Sequence, residues 1–223
     1  MSQPTARAPQ VGGTEIEGPA GVLEAAVDSS VGPAIATAVV CHPHPLQQGA
    51  MSNKVVTTVA RAFARLGADA VRFNFRGVGK SAGSYAGGVG ERDDALAVVA
   101  WCRGRWPGRP LYLGGFSFGA AVALSIAARV APAGLVTVAP PVERLRGSFV
   151  APRCPWLLVH GEADDVVPLA PALEWSRALA SPPKMVLLPG VGHFFHGSLA
   201  ALTQAVTETF GPELAARGHA DAT

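Results

Sequence analysis

The feature that most constrains this chain is an abrupt change of pattern around Ser117. Residues 111–116 are apolar and predict a short buried strand, whereas the small and apolar residues of Phe118–Val130 predict a helix. Gly115, Ser117 and Gly119 form a G-x-S-x-G pattern at the junction. A serine on such a sharp strand-to-helix turn has its hydroxyl held clear of the backbone, and the flanking glycines let the strand and the helix approach closely.

The rest of the chain alternates between strand and helix patterns. Residues 14–17 and 22–27 flank a Gly/Pro turn and predict an antiparallel hairpin. Further strands are predicted at 35–41, 70–75, 111–116, 135–139, 156–160 and 185–188, and helices at 54–66, 93–106, 118–130, 168–180 and 199–210. Repeated strand–helix units after an opening hairpin predict an α/β fold with a mostly parallel, doubly wound sheet of about eight strands.

Composition indicates a single globular domain. The chain has 223 residues, of which 49% are hydrophobic and 15% charged, and a net charge of +2. This balance argues against binding to nucleic acid or to a membrane surface. We predict a flexible tail over 1–12, one domain over 13–212 and a C-terminal tail over 213–223.

Cellular location is inferred from cysteine usage and from the apolar segments. Cys41, Cys102 and Cys154 are too few to pair completely and have no C-x-x-C spacing, which predicts reduced thiols. The N-terminal residues lack the pattern of a signal peptide, and no segment has the length and apolarity of a membrane span. We therefore expect a cytoplasmic protein.

Polar residues that follow the predicted strands should share one edge of the sheet, where parallel α/β sheets bind ligands. The set comprises His42, His44, Asn74, Arg76, Ser117, Glu162, Asp164, Asp165 and His193. A serine, a carboxylate and a histidine occur in that order along the chain, which predicts a catalytic triad. Asp164 is the preferred acid and Asp165 the alternative, since one of two adjacent acids can cap the helix that follows.

His193 is the predicted general base because a glycine turn after the last strand can bring it over the sheet edge, with His196 as the alternative. Serine needs an adjacent imidazole to take its proton, and the imidazole needs a carboxylate to fix its tautomer. Two N–H donors must stabilise the oxyanion. We predict the N–H of Phe118 as one donor. Prolines occupy positions 43 and 45, so the N–H of His44 or Leu46 is the second.

Two other chemistries are suggested by short motifs. His42 and His44 form an H-x-H pattern, but no third metal ligand follows at a useful spacing, and no cofactor is expected. Residues 77–81 read Gly-Val-Gly-Lys-Ser, yet Asn74 occupies the position where a phosphate-binding loop requires its first glycine. A glycine-rich wall of the active site accounts better for this segment.

The chain resembles small serine α/β hydrolases, near the dienelactone hydrolase-like and prolyl-oligopeptidase-like groups. The matching segments occur in the family's order and are Cys41-His42-Pro43-His44-Pro45, residues 73–81, the G-x-S-x-G, Gly161-Glu162-Ala163-Asp164 and Gly192-His193-Phe194-Phe195. The resemblance implies an α/β-hydrolase fold and identifies Asp164, the last residue of G-x-x-D, as the catalytic acid.

Two departures from the family pattern limit what the resemblance implies. Dienelactone hydrolases proper have a cysteine nucleophile, whereas this chain has Ser117, so their substrate is not implied. Many relatives have aspartate where this chain has Asn74, a change expected to alter hydrogen bonding in the loop rather than the chemistry.

The substrate site is expected to be open. Residues 140–155 are too few for the helical lid domain that many α/β hydrolases insert there, so small or extended acyl substrates should have access. Pocket walls are predicted from Leu46, Tyr85, Phe118, Val142, Val166 and Phe194. We expect a serine hydrolase of carboxylic esters or thioesters. The alternatives are a peptidase or amidase of the same fold, and a binding protein that has lost turnover.

Overall fold

In a computed structural model that describes residues 9–145 and 149–220, eight strands form one sheet with helices on both faces. The strands are β1 (Val11–Gly18), β2 (Gly21–Asp28), β3 (Ala36–Cys41), β4 (Ala68–Phe73), β5 (Leu111–Phe116), β6 (Gly134–Val138), β7 (Trp156–Gly161) and β8 (Lys184–Leu188). The helices are α1 (Lys54–Arg65), α2 (Val89–Arg105), α3 (Phe118–Val130), α4 (Leu169–Arg177) and α5 (Leu199–Ala220).

The strand order is β1-β2-β4-β3-β5-β6-β7-β8. The first two strands form the predicted antiparallel hairpin, and β2 also pairs antiparallel with β4. All pairs from β4 through β3 to β8 are parallel. The carboxyl ends of these six strands therefore meet along one edge of the sheet, and the predicted mostly parallel, doubly wound architecture is confirmed.

Both faces of the sheet are covered, which explains the continuous apolar runs in its central strands. Side chains of α1 and α5 pack on one face, and those of α2 and α3 pack on the other. Strands β3, β5, β6 and β7 are buried along their whole length as a result.

The observed helices differ most from prediction at the start of α2 and at the end of α5, and α4 ends at Arg177, three residues before its predicted end. Helix α2 begins at Val89 rather than 93, because the Glu91 carboxylate accepts the N–H groups of Ala86 and Gly88 and so caps the first turn. Helix α5 continues past Pro212 to Ala220, through most of the predicted tail, and burial of Leu214 favours this continuation.

The first strand also differs from the predicted bounds. Strand β1 begins at Val11, within the predicted 1–12 segment. Residues 1–8 and 221–223 lie outside the described part of the chain.

The connection between β6 and β7, as far as it is described, contains a single 3₁₀ turn at Val142–Leu145 and no lid domain. Among the described residues, no helix combines the length and apolarity needed to cross a bilayer.

Candidate active site

Ser117 lies between β5 and α3 in a strained conformation. Its φ of 53° is in the left-handed region, which side chains other than glycine seldom adopt, and its N–H donates to the Val138 carbonyl at 2.8 Å. A Cβ at Gly115 would collide with the backbone of Gly119, and a Cβ at Gly119 would collide with the carbonyl oxygens of Cys41 and His42. Only glycine therefore allows this close approach of strand, helix and neighbouring loop.

The structure brings Ser117, His193 and Asp164 into one hydrogen-bonded chain. His193 Nε2 lies 3.2 Å from Ser117 Oγ, and His193 Nδ1 lies 2.8 Å from Asp164 Oδ2. Because a carboxylate accepts hydrogen bonds, Nδ1 of His193 donates to Asp164, and Nε2 is the ring nitrogen that faces the Ser117 hydroxyl. Ser117, His193 and Asp164 are 9%, 4% and 7% exposed, so these three residues are largely shielded from water.

Two hydrogen-bonded loops hold the acid and the base together. The N–H of Ala163 donates to the Val191 carbonyl at 3.0 Å, which joins the loop of Asp164 to the loop of His193. The second carboxylate oxygen of Asp164 accepts the N–H groups of Val166 and Val167 at 3.0 and 2.7 Å. Its carboxylate is thus fixed in place, with one oxygen free to face the imidazole.

Asp165 and His196, the alternatives for the acid and the base, take no part in these hydrogen bonds. Asp165 is exposed, and no side chain caps the first turn of α4, so the expected capping aspartate is not found there. His196 is also exposed, and its ring packs against Phe194 rather than against Ser117.

A second histidine beside the acid was not anticipated from the sequence. His160, at the end of β7, is fully buried and its Nε2 lies 3.6 Å from Asp164 Oδ2. Nε2 donates to the Val167 carbonyl at 2.8 Å, and Nδ1 has no partner among the described residues. Burial lowers the pKa of His160, which keeps this ring neutral. Its position four residues before Asp164 was the available sequence signal.

The predicted oxyanion donors differ in availability. The Phe118 N–H opens α3, where the first N–H groups have no partner within the helix. The Leu46 N–H instead donates to His44 Nδ1 at 3.2 Å, and the Leu46 side chain is 71% exposed. No hydrogen bond from the His44 N–H to another described residue is found. Of the two predicted loop donors, His44 is the better placed to serve.

His42 has a structural role that accounts for its place in the motif. Its Nδ1 donates to the Pro43 carbonyl and its Nε2 accepts the Phe75 N–H at 3.0 Å, so both ring nitrogens are used. Burial lowers the pKa of His42 to about 4. Among residues 9–145 and 149–220, no group of three or more His, Cys, Asp or Glu side chains is arranged to hold a metal ion.

Beside the nucleophile, the ring of Phe118 forms part of a small aromatic cluster. The His44 ring lies 5.1 Å from the Phe118 ring and 4.9 Å from that of Tyr85, centroid to centroid. Since His44 Nδ1 accepts the Leu46 N–H, the neutral ring donates from Nε2 to Tyr85 Oη at 3.1 Å. The cluster links the candidate oxyanion loop to the residue that follows Ser117.

A pocket of about 210 Å³ lies against Phe118. It is bounded by the start of α2, one side of α3 and the 3₁₀ turn after β6. Its lining residues are Gly87, Gly88, Val89, Arg92, Phe118, Ala121, Val122, Ser125, Arg144, Leu145 and Phe149. Its charged lining residues, Arg92 and Arg144, come from separate elements and had not been predicted as site residues.

Of the six predicted wall residues, only Phe118 lines this pocket. Val142 is buried at the start of the 3₁₀ turn, and Tyr85 contacts His44. Leu46, Val166 and Phe194 are 71%, 49% and 55% exposed and lie beside His44, Asp164 and His193 respectively.

Comparison with known proteins identifies relatives of the whole chain. The family model described as serine aminopeptidase, S33, matches residues 32–152. An uncharacterised protein of Rickettsia prowazekii is 31% identical over 202 residues, which cover 86% of this chain and 85% of the relative.

Two solved structures are similar in both sequence and fold. One is an α/β serine hydrolase without a lid from Xanthomonas campestris, which is 41% identical with a TM-score of 0.86, covering 90% of this chain and 94% of that one. The other is an α/β serine hydrolase homologue from Coxiella burnetii, which is 42% identical with a TM-score of 0.85, covering 88% and 96%. The predicted α/β-hydrolase fold without a lid domain is thereby confirmed.

Proposed function

Because this chain belongs to the α/β serine hydrolases covered by the serine aminopeptidase S33 family model, we propose that it hydrolyses carboxylic esters or thioesters through an acyl-enzyme on Ser117. The observation that carries the proposal is the hydrogen-bonded chain from Ser117 Oγ through His193 to Asp164. A buried serine whose hydroxyl faces an imidazole nitrogen, with a carboxylate on the other side of the ring, is arranged for nucleophilic acyl transfer.

Acylation begins when Ser117 Oγ attacks the substrate carbonyl and passes its proton to His193 Nε2. The carbonyl oxygen becomes an oxyanion, which the N–H groups of Phe118 and His44 stabilise. Asp164 stabilises the imidazolium that forms. The bond from the carbonyl carbon to the leaving oxygen or sulfur then breaks, and His193 returns the proton to the leaving group.

Deacylation repeats these steps with water as the nucleophile. His193 takes a proton from water as its oxygen attacks the acyl carbon, and a second oxyanion forms at the same two N–H groups. Collapse of this intermediate releases the carboxylic acid, and the proton on His193 returns to Ser117 Oγ. The products are one acid and one alcohol or thiol, and the enzyme is restored.

The family description favours a peptidase as the second candidate function. An aminopeptidase must bind the positively charged amino terminus of its substrate, which calls for a carboxylate near the site. The charged residues that line the pocket beside Phe118 are instead Arg92 and Arg144. Like charges repel, so this pocket suits an ester or thioester better than a peptide amino terminus.

Cysteine burial supports a cytoplasmic location for this reaction. Cys41, Cys102 and Cys154 are free thiols. Burial raises the pKa of Cys102 to about 12 and also raises that of Cys41, so these thiols are poor nucleophiles at neutral pH. A reducing compartment keeps such thiols unpaired.

The experiment that tests the proposal compares an ester, a thioester and an amide of one acyl group by pre-steady-state kinetics with substrate in excess. We expect a burst of leaving group from the ester and thioester, and an intact-protein mass increase equal to the acyl group. Hydrolysis of amides at a comparable rate favours the peptidase instead. A folded protein that shows neither a burst nor steady turnover of any of the three substrates is a binding protein, and the proposal then fails.

A further inference from the structure

Resting on the proposed hydrolysis, we propose that the pocket beside Phe118 binds an anionic group of the substrate, a carboxylate or a phosphate, through Arg92 and Arg144. Phe118 directly follows the nucleophile and its ring forms one wall of the pocket. A substrate whose carbonyl lies at Ser117 can therefore extend past this ring toward the two guanidinium groups.

The charge of the pocket wall is positive and is not offset by acids in that wall. Among the described residues, its lining includes two arginines and no aspartate or glutamate. Asp93 and Glu143 adjoin Arg92 and Arg144 in the sequence and are exposed, but neither is among the described residues that line the pocket. Glu91, which precedes Arg92, is fully buried, and both of its oxygens accept backbone N–H groups. Both oxygens of Glu91 are thus engaged by the backbone at the first turn of α2.

Arg92 and Arg144 also differ from the arginines that stabilise the fold. Arg72, Arg76 and Arg109 each pair with an aspartate at 2.6 to 2.8 Å. None of the ion pairs among the described residues involves Arg92 or Arg144. Guanidinium groups without an internal partner, facing a concave surface, are suited to an external carboxylate or phosphate.

Packing against Phe118 helps to orient the guanidinium group of Arg144. The guanidinium carbon of Arg144 lies 5.6 Å from the centre of the Phe118 ring, within the range of a cation–π interaction. Arg144 also contributes to lowering the pKa of His44, after the larger effect of burial, which places its charge close to the candidate oxyanion loop. The positive charge of Arg144 therefore lies on the side of the pocket nearest the reacting centre.

Size and apolar surface restrict the group that fits. A volume of about 210 Å³ is smaller than the roughly 300–1,000 Å³ of pockets that hold drug-sized ligands. Ala121, Val122 and Phe149 provide apolar wall between the arginines. This combination suits a short chain of methylene groups that ends in an anion.

Two matched substrate pairs distinguish the sources of the anion. The first pair is the p-nitrophenyl ester of valeric acid and the mono-p-nitrophenyl ester of glutaric acid, which adds a carboxylate to the acyl chain. The second pair is the acetyl thioester of pantetheine and that of phosphopantetheine, which adds a phosphate to the leaving group. We measure kcat/KM for each at low and high salt, after subtraction of spontaneous hydrolysis.

We expect the anionic member of at least one pair to be favoured about tenfold at low salt, and less in high salt because the charges are screened. The ratio should fall close to one in the double variant Arg92→Gln, Arg144→Gln and be largely kept when both become lysine. Arg177→Gln, an exposed change at the end of α4, is the matched control and should keep the ratio.

A ratio that is equal in the wild type and the double glutamine variant, with both proteins melting at similar temperatures, overturns the inference. Labelling of Ser117 by a fluorophosphonate separates this outcome from failure of the proposed function. A protein that is labelled but has no charge preference contradicts only the role of the arginines. A folded protein that is not labelled contradicts hydrolysis and the inference that rests on it.

Discussion

The imidazole of His193 is held by Asp164, with Nδ1 lying 2.8 Å from Asp164 Oδ2. This contact fixes both the tautomer of the ring and the direction in which Nε2 faces Ser117. The same carboxylate accepts two backbone N–H groups through its other oxygen, so it cannot rotate without losing them. Asp164 thereby links the turn after β7 to His193, the proposed general base.

Asp164→Asn should lower kcat by about 10³- to 10⁴-fold, because an amide can donate to Nδ1 and stabilise the unproductive tautomer. The adjacent Asp165→Asn is the matched control, and we expect its kcat within about twofold of the wild type since exposed substitutions away from the site have small effects. Steady-state hydrolysis of an activated ester measures both. Equal losses in the two variants would mean that the assignment of the acid is wrong.

His42 should make stability depend on pH. Burial lowers its pKa to about 4 in the folded protein, below the value of about 6.5 for an unfolded chain. Between these values the unfolded chain binds the proton and the folded chain does not. The free energy of unfolding should therefore fall as pH drops from about 6.5 to about 4, by up to about 3 kcal/mol, and the contribution is fully present above that window.

Urea unfolding at a series of pH values measures this dependence. His42→Gln should reduce the slope of stability against pH across the window, whereas His219→Gln, an exposed change in α5, should leave it unchanged. A slope that is the same in the wild type and in His42→Gln is incompatible with a buried neutral His42.

Asn74→Asp should destabilise the fold at neutral pH. Asn74 Nδ2 donates to Glu24 Oε2 at 2.8 Å, and its carbonyl oxygen accepts the Met51 N–H. Aspartate would replace that donor with a second carboxylate at the same distance, at a cost of about 1–3 kcal/mol. The loss should shrink as pH falls and one of the two acids takes up a proton.

Chemical denaturation at neutral and acidic pH measures the loss, with Asn53→Asp as the control. Asn53 caps α1 through its side-chain oxygen, a role that aspartate fills equally well. A destabilisation of Asn74→Asp that does not vary with pH would contradict carboxylate repulsion as its cause.

Two glycine-to-alanine changes should have opposite effects on stability. Alanine at Gly119 would collide with the carbonyl oxygens of Cys41 and His42, so Gly119→Ala should both destabilise the fold and reduce turnover. Gly104, inside α2, has nothing within 4 Å of an added Cβ, and Gly104→Ala should stabilise by about 0.5–1 kcal/mol. Thermal melting distinguishes the two, and a neutral Gly119→Ala would contradict the close packing described at the turn.

Local patterns predicted the centre of this molecule well. The bounds of α3 and the position of Ser117 were predicted from a sharp change in residue type. Ser117, Asp164 and His193 were predicted to share one edge of the sheet because each follows a strand. Such features depend on a few consecutive residues or on the fixed direction of parallel strands. The parallel sheet then brings together residues that are far apart in the sequence.

Features set by contacts between distant segments were not predicted. The pocket beside Phe118 is formed by three elements, and nothing in the sequence around Arg92 or Arg144 marks either as a lining residue. The length of α5 depends on burial of Leu214, which outweighs the helix-breaking tendency of Pro212. In each case tertiary packing decides an outcome on which local sequence is silent.

The most direct test of the central claim is covalent labelling of Ser117 by a fluorophosphonate, followed by peptide mapping with mass spectrometry. We predict a single phosphonylated site at Ser117 in the wild type, no labelling in Ser117→Ala, and much slower labelling in His193→Gln, with all three proteins folded. Wild-type protein that stays unlabelled, or Ser117→Ala that is labelled as fast as the wild type, would contradict the account.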